Sequence, residues 1–581
     1  MQEIAPLPGP SAAPALPACY LAPAGASAHA LDLNVHSALA RLTGGVSPIA
    51  LSLAFQDWLM HLAVSPGKQL ELAGTLKGLG LAWLPASSAA VDNGDARFSA
   101  PDWSNWPYNV LARAFTQTEQ FWNQATSGVR GVAPHHAQVV NFTARQLLDM
   151  GAPSNYFWSN PEVLRRALES RGQSVLAGWS NWLRDLAGQV PASGEGGYVV
   201  GRDVALTPGK VVYRNELVEL IEYAPQTASV YREPVLIVPS WIMKYYILDL
   251  SPHNSLVRFL VQQGHTVFMV SWRNPDAADR GLDMDDYLHR GIFDVLQEVD
   301  RLSEAAPVHA VGYCLGGTLL AIAAAALGSG RHGRPAELRS VTLLAAQTDF
   351  TEPGELGLFI DDSELAMLDA LMWRQGYLDG RQMAGSFQLL NSRDLIWSRM
   401  MHDYLLGQHG TPNDLMAWNA DTTRLPYRMH SEYLNQLFLH NDLAEGRYRV
   451  DGKAVALNDI KAPLFVVGTE RDHVSPWRSV YKIHVLADAA VDFVLASGGH
   501  NAGIVSEPGH ARRSYRAAPH RARGAPYLAP EDWLQQAHEQ AGSWWPHWQQ
   551  WLAHHSSAEQ VTAPVLAAAL EDAPGRYVLA G

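Results

Sequence analysis

The segment PVHAVGYCLGG, residues 307–317, restricts the possible folds more than any other stretch of the chain. Its apolar run reads as a buried β-strand. A glycine-flanked turn carrying one cysteine follows, and TLLAIAAAALG after it reads as a small-residue helix. This is the pattern of a nucleophile elbow, G-x-S-x-G, with Cys314 in the serine position. Gly312 and Gly316 let strand and helix approach closely enough for a strained turn that exposes the nucleophile. The backbone N–H of Leu315, at the helix N-terminus, would face a developing oxyanion. With two cysteines and 47 glycines in 581 residues, chance supplies about 0.01 such patterns. The alternative is a structural cysteine buried between packing glycines.

A chain of 581 residues accommodates two or more domains. At 47% hydrophobic and 17% charged it is globular in composition. A net charge of −14 argues against general nucleic-acid binding, which requires a basic face. The second cysteine, Cys19, lies in a Pro/Ala-rich stretch, so a disulfide framework is not expected and a reducing, cytoplasmic setting is. No window of about 18 apolar residues is free of charge, proline or polar clusters, so no transmembrane segment is predicted. Residues 1–30 lack a basic start and an uninterrupted apolar run, and read as a flexible tail rather than a signal peptide. No metal-ligand spacing or nucleotide loop stands out, so neither metal nor cofactor is expected. DMDDY at 283–287 lacks the glycine and spacing of a calcium loop.

Residues 31–205 show apolar positions at helical spacing, as in FQDWLMHLAV and NVLARAFTQTEQFWNQA, and form a predicted helical domain. Asn160, Pro161 and Glu162 make a helix start: a cap, a first-turn proline, and an acid at the positive end. Phe98, Trp103, Trp106 and Tyr108 are expected to pack onto the following domain, or else to form a dimer contact or dock on a hydrophobic particle. A turn-rich stretch near 190–210 marks the boundary. Residues 206–581 then alternate short apolar runs (PVLIVPS, HTVFMVSW, PVHAVGYC, SVTLLAAQTDF) with helical stretches, which predicts a doubly wound, mainly parallel α/β sheet. APLFVVGTE and VDFVLASGG supply two later strands. The helical and aromatic interval at about 351–445 is too long for a loop and reads as a cap inserted above the sheet. GSWWPHWQQWLAHH is an amphipathic helix expected to pack in the core.

A cysteine nucleophile needs a base and a group that orients the base. On this architecture the chain order is nucleophile, acid, histidine. Asp472 follows the strand APLFVVGTE, and His500 follows the next strand, in LASGGHNAG. Both therefore fall at the carboxyl ends of parallel strands, where sites on open α/β sheets collect. His500 would take the thiol proton of Cys314, and Asp472 would hold the imidazole in the right tautomer. His473 has either a structural role or that of a second proton carrier. The choice of cysteine is informative. A serine would convert an incoming thioester into an oxygen ester and forfeit acyl-transfer potential. A cysteine conserves the thioester, so the acyl group can then move downhill onto an alcohol. Acyl transfer from a thioester such as acyl-CoA is thus favoured over ester hydrolysis.

These residues, with RFSAPDW, PSNYFWSNPEVL, TPGKVVYRNELVELIEYAP, NSRDLIWSRMMHDYLLG, WNADTTRLP and the closing APGRYV, resemble the polyhydroxyalkanoate synthases from about residue 95 to the C-terminus. The resemblance implies an α/β-hydrolase fold with a mobile cap behind a helical N-terminal domain. It implies polymerisation of (R)-3-hydroxyacyl-CoA through an acyl-cysteine on Cys314, with release of CoA, His500 as base and Asp472 as third member. The second oxyanion donor would lie near Trp241 or Ile242, and Asp249 matches a family acid near the site. The length and the form GYC-x-GG are similar to the single-subunit class acting on short chains such as 3-hydroxybutyryl-CoA. Partners implied are the growing polyester, the surface of cytoplasmic polymer granules, and a second copy in a homodimer.

The sequence departs from the family pattern in GGHNAGIVSEPG, with an asparagine after His500 and an acidic turn where many relatives carry an NPP-type stretch, and HARRSYRAAPHRARG then gathers Arg512, Arg513, Arg516, Arg521 and Arg523. They form either a solvated loop or a contact for CoA phosphates or granule-surface anions. Two other functions fit the motifs: a thioesterase or hydrolase of the same fold, and a granule-binding protein whose active site no longer turns over.

Overall fold

A computed structural model describes residues 28–82, 95–187, 197–333, 335–380, 382–383, 392–408, 413–520, 523–566 and 569–580. The expected tail, Cys19 included, lies outside the described residues except for its last three positions, which already belong to a helix.

The first half is helical: α1 (Ala28–Leu42), α2 (Pro48–Ala63), α3 (Pro66–Ala82), α4 (Tyr108–Thr126), α5 (Pro134–Met150), α6 (Pro161–Glu169) and α7 (Gln173–Leu186). Ala54 and Trp58 of α2 pack with Ala125 and Val140 of α4 and α5, and Trp58 Nε1 donates to the Ala125 carbonyl at 2.8 Å. The start predicted at Asn160 forms, its Oδ1 accepting from Glu162 N–H (3.0 Å) and Val163 N–H (3.3 Å). The aromatic loop behaves differently from expectation. Phe98 and Trp103 are buried within the helical region itself, with ring centroids 4.8 Å apart, and Phe98 also meets Phe115 of α4 at 5.9 Å. Two short 3₁₀ turns, Ala96–Phe98 and Pro101–Ser104, fold the loop back onto α4. Trp106 alone of the four is strongly exposed.

Beyond residue 205 the chain builds a sheet from β1 (Gly209–Arg214), β2 (Val218–Tyr223), β3 (Val235–Val238), β4 (Val267–Trp272), β5 (Val308–Tyr313), β6 (Leu338–Leu344), β7 (Leu464–Thr469), β8 (Val491–Ala496), β9 (Ser514–Ala517), β10 (His538–Ala541) and β11 (Glu571–Asp572). Their order across the sheet is β10-β9-β8-β7-β6-β5-β3-β4-β2-β1-β11. The six strands from β8 to β4 run parallel, and the strands outside them pair antiparallel. β3, β4, β5 and β7 are buried throughout, which is why they read as continuous apolar runs. Among the helices covering the sheet are α8 (Leu256–Gln262), α9 (Asp294–Leu302) and α10 (Leu315–Gly328). The sheet is thus the α/β-hydrolase arrangement that the sequence predicts.

The interval 351–445 connects β6 to β7. It contains α11 (Asp362–Gln375) and shorter helical pieces, Tyr427–Tyr433 and Leu434–Leu439 among them. The first helix of the chain reaches this interval: Ala40 of α1 is buried against Met367 and Leu371 of α11. Near the C-terminus, α12 (Trp545–His555) packs inward, with Trp544, Trp545 and Trp548 buried and Trp548 Nε1 donating to Thr342 Oγ1 at 3.0 Å.

The arginine run is an exposed loop only in part. Its SYRA is β9, with Tyr515 and Ala517 buried and Arg516 turned outward. Among its described arginines, Arg516 pairs with Glu539 (2.6 Å), Arg523 pairs with Asp488 (2.5 Å) and Arg513 donates to the Val505 carbonyl (3.2 Å), while Arg512 is exposed. Acidic neighbours on β10 and before β8 supply the two ion pairs. Arg521 lies outside the described residues. Among the described residues, no helix is long and apolar enough to cross a membrane.

Candidate active site

Between β5 and α10 the chain turns through Cys314, held at φ 52° and ψ −125°. A left-handed conformation on a residue with a Cβ costs of order 1–3 kcal/mol and persists only where packing enforces it. The enforcement comes from the flanking glycines. A Cβ on Gly312 would overlap the Gly317 backbone, and one on Gly316 would overlap the carbonyl groups of Val238 and Pro239 at the end of β3. Leu315 opens α10, so its N–H is one of the first-turn donors without an intrahelical acceptor.

The next two parallel strands bring the other members. Asp472 follows β7, and its carboxylate is fully engaged: Oδ1 accepts from the amides of Val474 (2.9 Å) and Ser475 (2.7 Å), and Oδ2 from Thr469 Oγ1 (2.9 Å). Oδ2 also receives Nδ1 of His500, which follows β8, at 2.8 Å. That leaves the other ring nitrogen of His500 uncommitted to Asp472, and Cys314 is near enough to the ring to act on its charge. Burial pushes the Asp472 carboxyl upward, but the charge of the His500 ring and the hydrogen bonds from His500, Ser475 and Thr469 outweigh it and hold the carboxyl below the usual range. Burial acts on His500 in the opposite sense to its partners, and Asp472 and Cys314 raise the imidazole well above its ordinary value. Tyr313 packs beside the His500 ring (5.8 Å between centroids) and donates to Asn501 Oδ1 at 2.6 Å. Asn501 therefore fixes the wall next to the histidine.

Of the two residues expected near the second oxyanion donor, Ile242 lines the cavity beside Cys314, and its N–H reaches only a long 3.4 Å contact with Ser240 Oγ. Trp241 is buried, with its ring against Trp272, Tyr287 and Tyr433. The brace that fixes this loop is not apparent in the sequence. Thr423 in WNADTTRLP donates its hydroxyl to the Trp241 carbonyl (2.5 Å) and its N–H to the Ile242 carbonyl (3.2 Å). Trp418 Nε1 adds a bond to the Lys244 carbonyl at 2.7 Å.

Asp249 and His473 stand apart from the cavity lining. Asp249 is buried and accepts from Thr207 Oγ1 (2.5 Å) and Ser255 Oγ (2.6 Å), which ties the segment entering β1 to the start of α8. Burial raises its carboxyl despite these bonds. His473 is exposed, and its carbonyl accepts Glu355 N–H at 3.2 Å.

A cavity of about 480 Å³ opens at Cys314, Leu315 and Ile242 and runs between apolar side chains of residues 356–438. Its few polar groups include Glu364, whose carboxyl burial pushes up to about 7, and His430, whose imidazole burial pushes down to about 3. His430 stacks on Tyr433 (5.9 Å), and its Nδ1 has no hydrogen-bond partner among the described residues. Among the described residues, no group of three or more His, Cys, Asp or Glu side chains is placed to hold a metal ion.

Fold and geometry together define an α/β-hydrolase-fold protein with a cysteine at its nucleophile elbow. The model of the alpha/beta hydrolase fold matches residues 233–507. Two further family models match, the Poly-beta-hydroxybutyrate polymerase (PhaC) N-terminus over 94–260 and the Poly-beta-hydroxybutyrate polymerase N terminal over 26–68. The chain is 38% identical to a poly(3-hydroxyalkanoate) polymerase of Methylorubrum extorquens, over 83% of this chain and 80% of that one. It is 37% identical to the poly(3-hydroxyalkanoate) polymerase subunit PhaC of Cupriavidus necator, over 84% and 83%. It is 36% identical to that of Rhizobium etli, over 84% and 76%. The chain belongs to the poly(3-hydroxyalkanoate) polymerase family.

Proposed function

We propose that this protein polymerises (R)-3-hydroxyacyl-CoA, with short-chain substrates such as 3-hydroxybutyryl-CoA, into polyhydroxyalkanoate through an acyl-cysteine on Cys314. The observation that carries the reading is the relay from Asp472 through His500 to a cysteine at a strained elbow, in a chain of this family. His500 accepts the Cys314 proton as sulfur attacks the thioester carbonyl. The Leu315 N–H and a donor from the Trp241–Ile242 loop face the oxyanion, and the departing CoA thiolate takes up the proton. The 3-hydroxyl of a second acyl group then attacks the acyl-cysteine with His500 as base. An oxygen ester forms and the Cys314 thiol returns. The first step exchanges one thioester for another, and the second runs downhill.

A CoA thioester substrate fits a cytoplasmic enzyme working at the surface of its product. The apolar polymer has a matching face on α6 and α7, where Leu168, Leu176 and Leu186 are exposed beside Trp179 and Trp182, stacked at 4.9 Å. A homodimer on the granule is part of the same proposal.

Purified protein with (R)-3-hydroxybutyryl-CoA is expected to release CoA and turn turbid. CoA release without polymer would identify a thioesterase, and neither signal, with longer chains failing too, a binding protein. Cys314→Ser is expected to lose at least about 1,000-fold in CoA release. A serine variant at wild-type rate would remove Cys314 as nucleophile.

A further inference from the structure

The cavity at Cys314 is not enclosed by the α/β unit and its insertion alone. Ala40 and Arg41 of α1, and Gly44, Gly45 and Val46 of the turn into α2, belong to the same lining as Cys314 and Leu315. This turn lies more than 260 residues before the nucleophile in the chain, yet two separate contacts hold it there. Ala40 is buried against Met367 and Leu371 of α11, and Leu371 also faces the cavity. Ser47, the cap of α2, donates its backbone N–H to both carboxylate oxygens of Glu364 at 2.9 Å, and all three groups are buried. The same serine accepts Ala50 N–H on its hydroxyl at 3.3 Å, so one residue starts α2 and pins it to the insertion.

The shape of the turn leaves one side chain to supply its bulk. Gly44 and Gly45 sit at φ +65° and +92°, which lets the chain reverse between α1 and α2, and neither carries a side chain into the cavity. Val46 is the first residue after them and is half-buried at the lining. A cavity of about 480 Å³ is within the range that holds a drug-sized ligand and is larger than a four-carbon hydroxyacyl group needs. Its apolar wall can therefore decide how long a side chain fits.

We propose that the α1–α2 turn is a wall of the acyl pocket and that Val46 sets the upper size of the hydroxyacyl group accepted at Cys314. The inference rests on the acyl-cysteine reading given above. It assigns to the N-terminal helical pair a part in substrate selection, with Glu364 and α11 acting as its mount.

The test compares full-length wild type with Val46→Ala, Val46→Leu and Val46→Phe, using (R)-3-hydroxybutyryl-CoA and (R)-3-hydroxyhexanoyl-CoA. The readout is the ratio of kcat/KM for the six-carbon over the four-carbon substrate, from CoA release. Added bulk in an apolar pocket discriminates by about tenfold or more per misfit group. The ratio is expected to fall about tenfold in Val46→Phe, less in Val46→Leu, and to rise in Val46→Ala. A general loss of stability would lower both rates together and leave the ratio unchanged. A ratio within twofold of wild type in both Val46→Ala and Val46→Leu overturns the proposal, whether or not Val46→Phe folds. Failure of wild type to release CoA from either thioester overturns the function on which it rests, and the two failures are thereby distinct.

Discussion

Replacing Asp472 with asparagine separates charge from geometry at the Cys314–His500 pair. The two backbone N–H groups on Oδ1 and the Thr469 hydroxyl remain available to an amide, so the side chain keeps its place. What disappears is the anion that holds His500 well above its ordinary value. An asparagine there can also present its NH₂ to Nδ1 and trap the wrong tautomer. CoA release is expected to fall by about 10³–10⁴. Stability follows a distinct pH profile. The depressed Asp472 stabilises the fold above the ordinary carboxyl range, and this is lost as pH falls through its folded value. The raised His500 stabilises below about pH 6.5, and this is lost as pH rises through its folded value. The difference in unfolding free energy between wild type and Asp472→Asn should therefore be largest between about pH 4 and pH 6.5 and shrink above it. Chemical denaturation of both proteins at pH 5.5 and pH 8.5 measures this, and an equal difference at the two values would contradict the charge assignment.

The short strap of WNADTTRLP shows how a cap element acts on a core loop. Thr423 grips two successive carbonyls, those of Trp241 and Ile242, and so fixes the peptide planes on either side of Ile242, a residue of the cavity lining. Thr423→Val preserves volume and the backbone N–H bond but removes the hydroxyl. Losing an oxyanion donor outright costs about 10²–10³ in rate, and loosening its support is expected to cost about tenfold in the acylation step with KM nearly unchanged. Rapid-quench acylation of Cys314 is the measurement; a full acylation rate would mean that the loop holds its own shape. This brace also marks a boundary of what the sequence discloses. The elbow, Asp472 and His500 are legible because each is a local pattern, glycines around a nucleophile or a polar residue directly after a strand. Thr423 is 182 residues from Trp241 and Ser47 is 317 from Glu364, so neither contact leaves a mark on its neighbours. The antiparallel edge strands escape for another reason: β9 hides in an arginine run because only its alternate positions, Tyr515 and Ala517, are buried.

Across the whole molecule, the helical half and the insertion are joined by charge as well as by α1. Asp149 of α5, whose side chain is 2% exposed, receives Arg97 Nη1 (2.9 Å) and Arg393 Nε (2.8 Å), while Glu119 of α4 accepts from the same two arginines (2.7 and 2.5 Å). Arg393 belongs to the insertion, so the network crosses between the two parts. Close by, Asn181 Nδ2 donates to the Asp403 carbonyl (2.8 Å) and Tyr404 OH to Asp185 (2.5 Å), both again between helical half and insertion. The segment 392–406 is therefore held by α4, α5 and α7. Arg393→Gln removes one of the two cations compensating Asp149 and Glu119. A fully buried pair broken in this way costs about 3–5 kcal/mol. Because the Arg393 side chain is 42% exposed, solvent screening reduces the expected loss to about 1–2 kcal/mol. That loss should appear locally, as roughly tenfold faster amide exchange across 392–406, with α10 under the elbow protected as in wild type. Unchanged exchange in 392–406 would show that α7 alone holds the segment. Faster exchange in α10 as well would mean that the helical half stabilises the catalytic sheet directly.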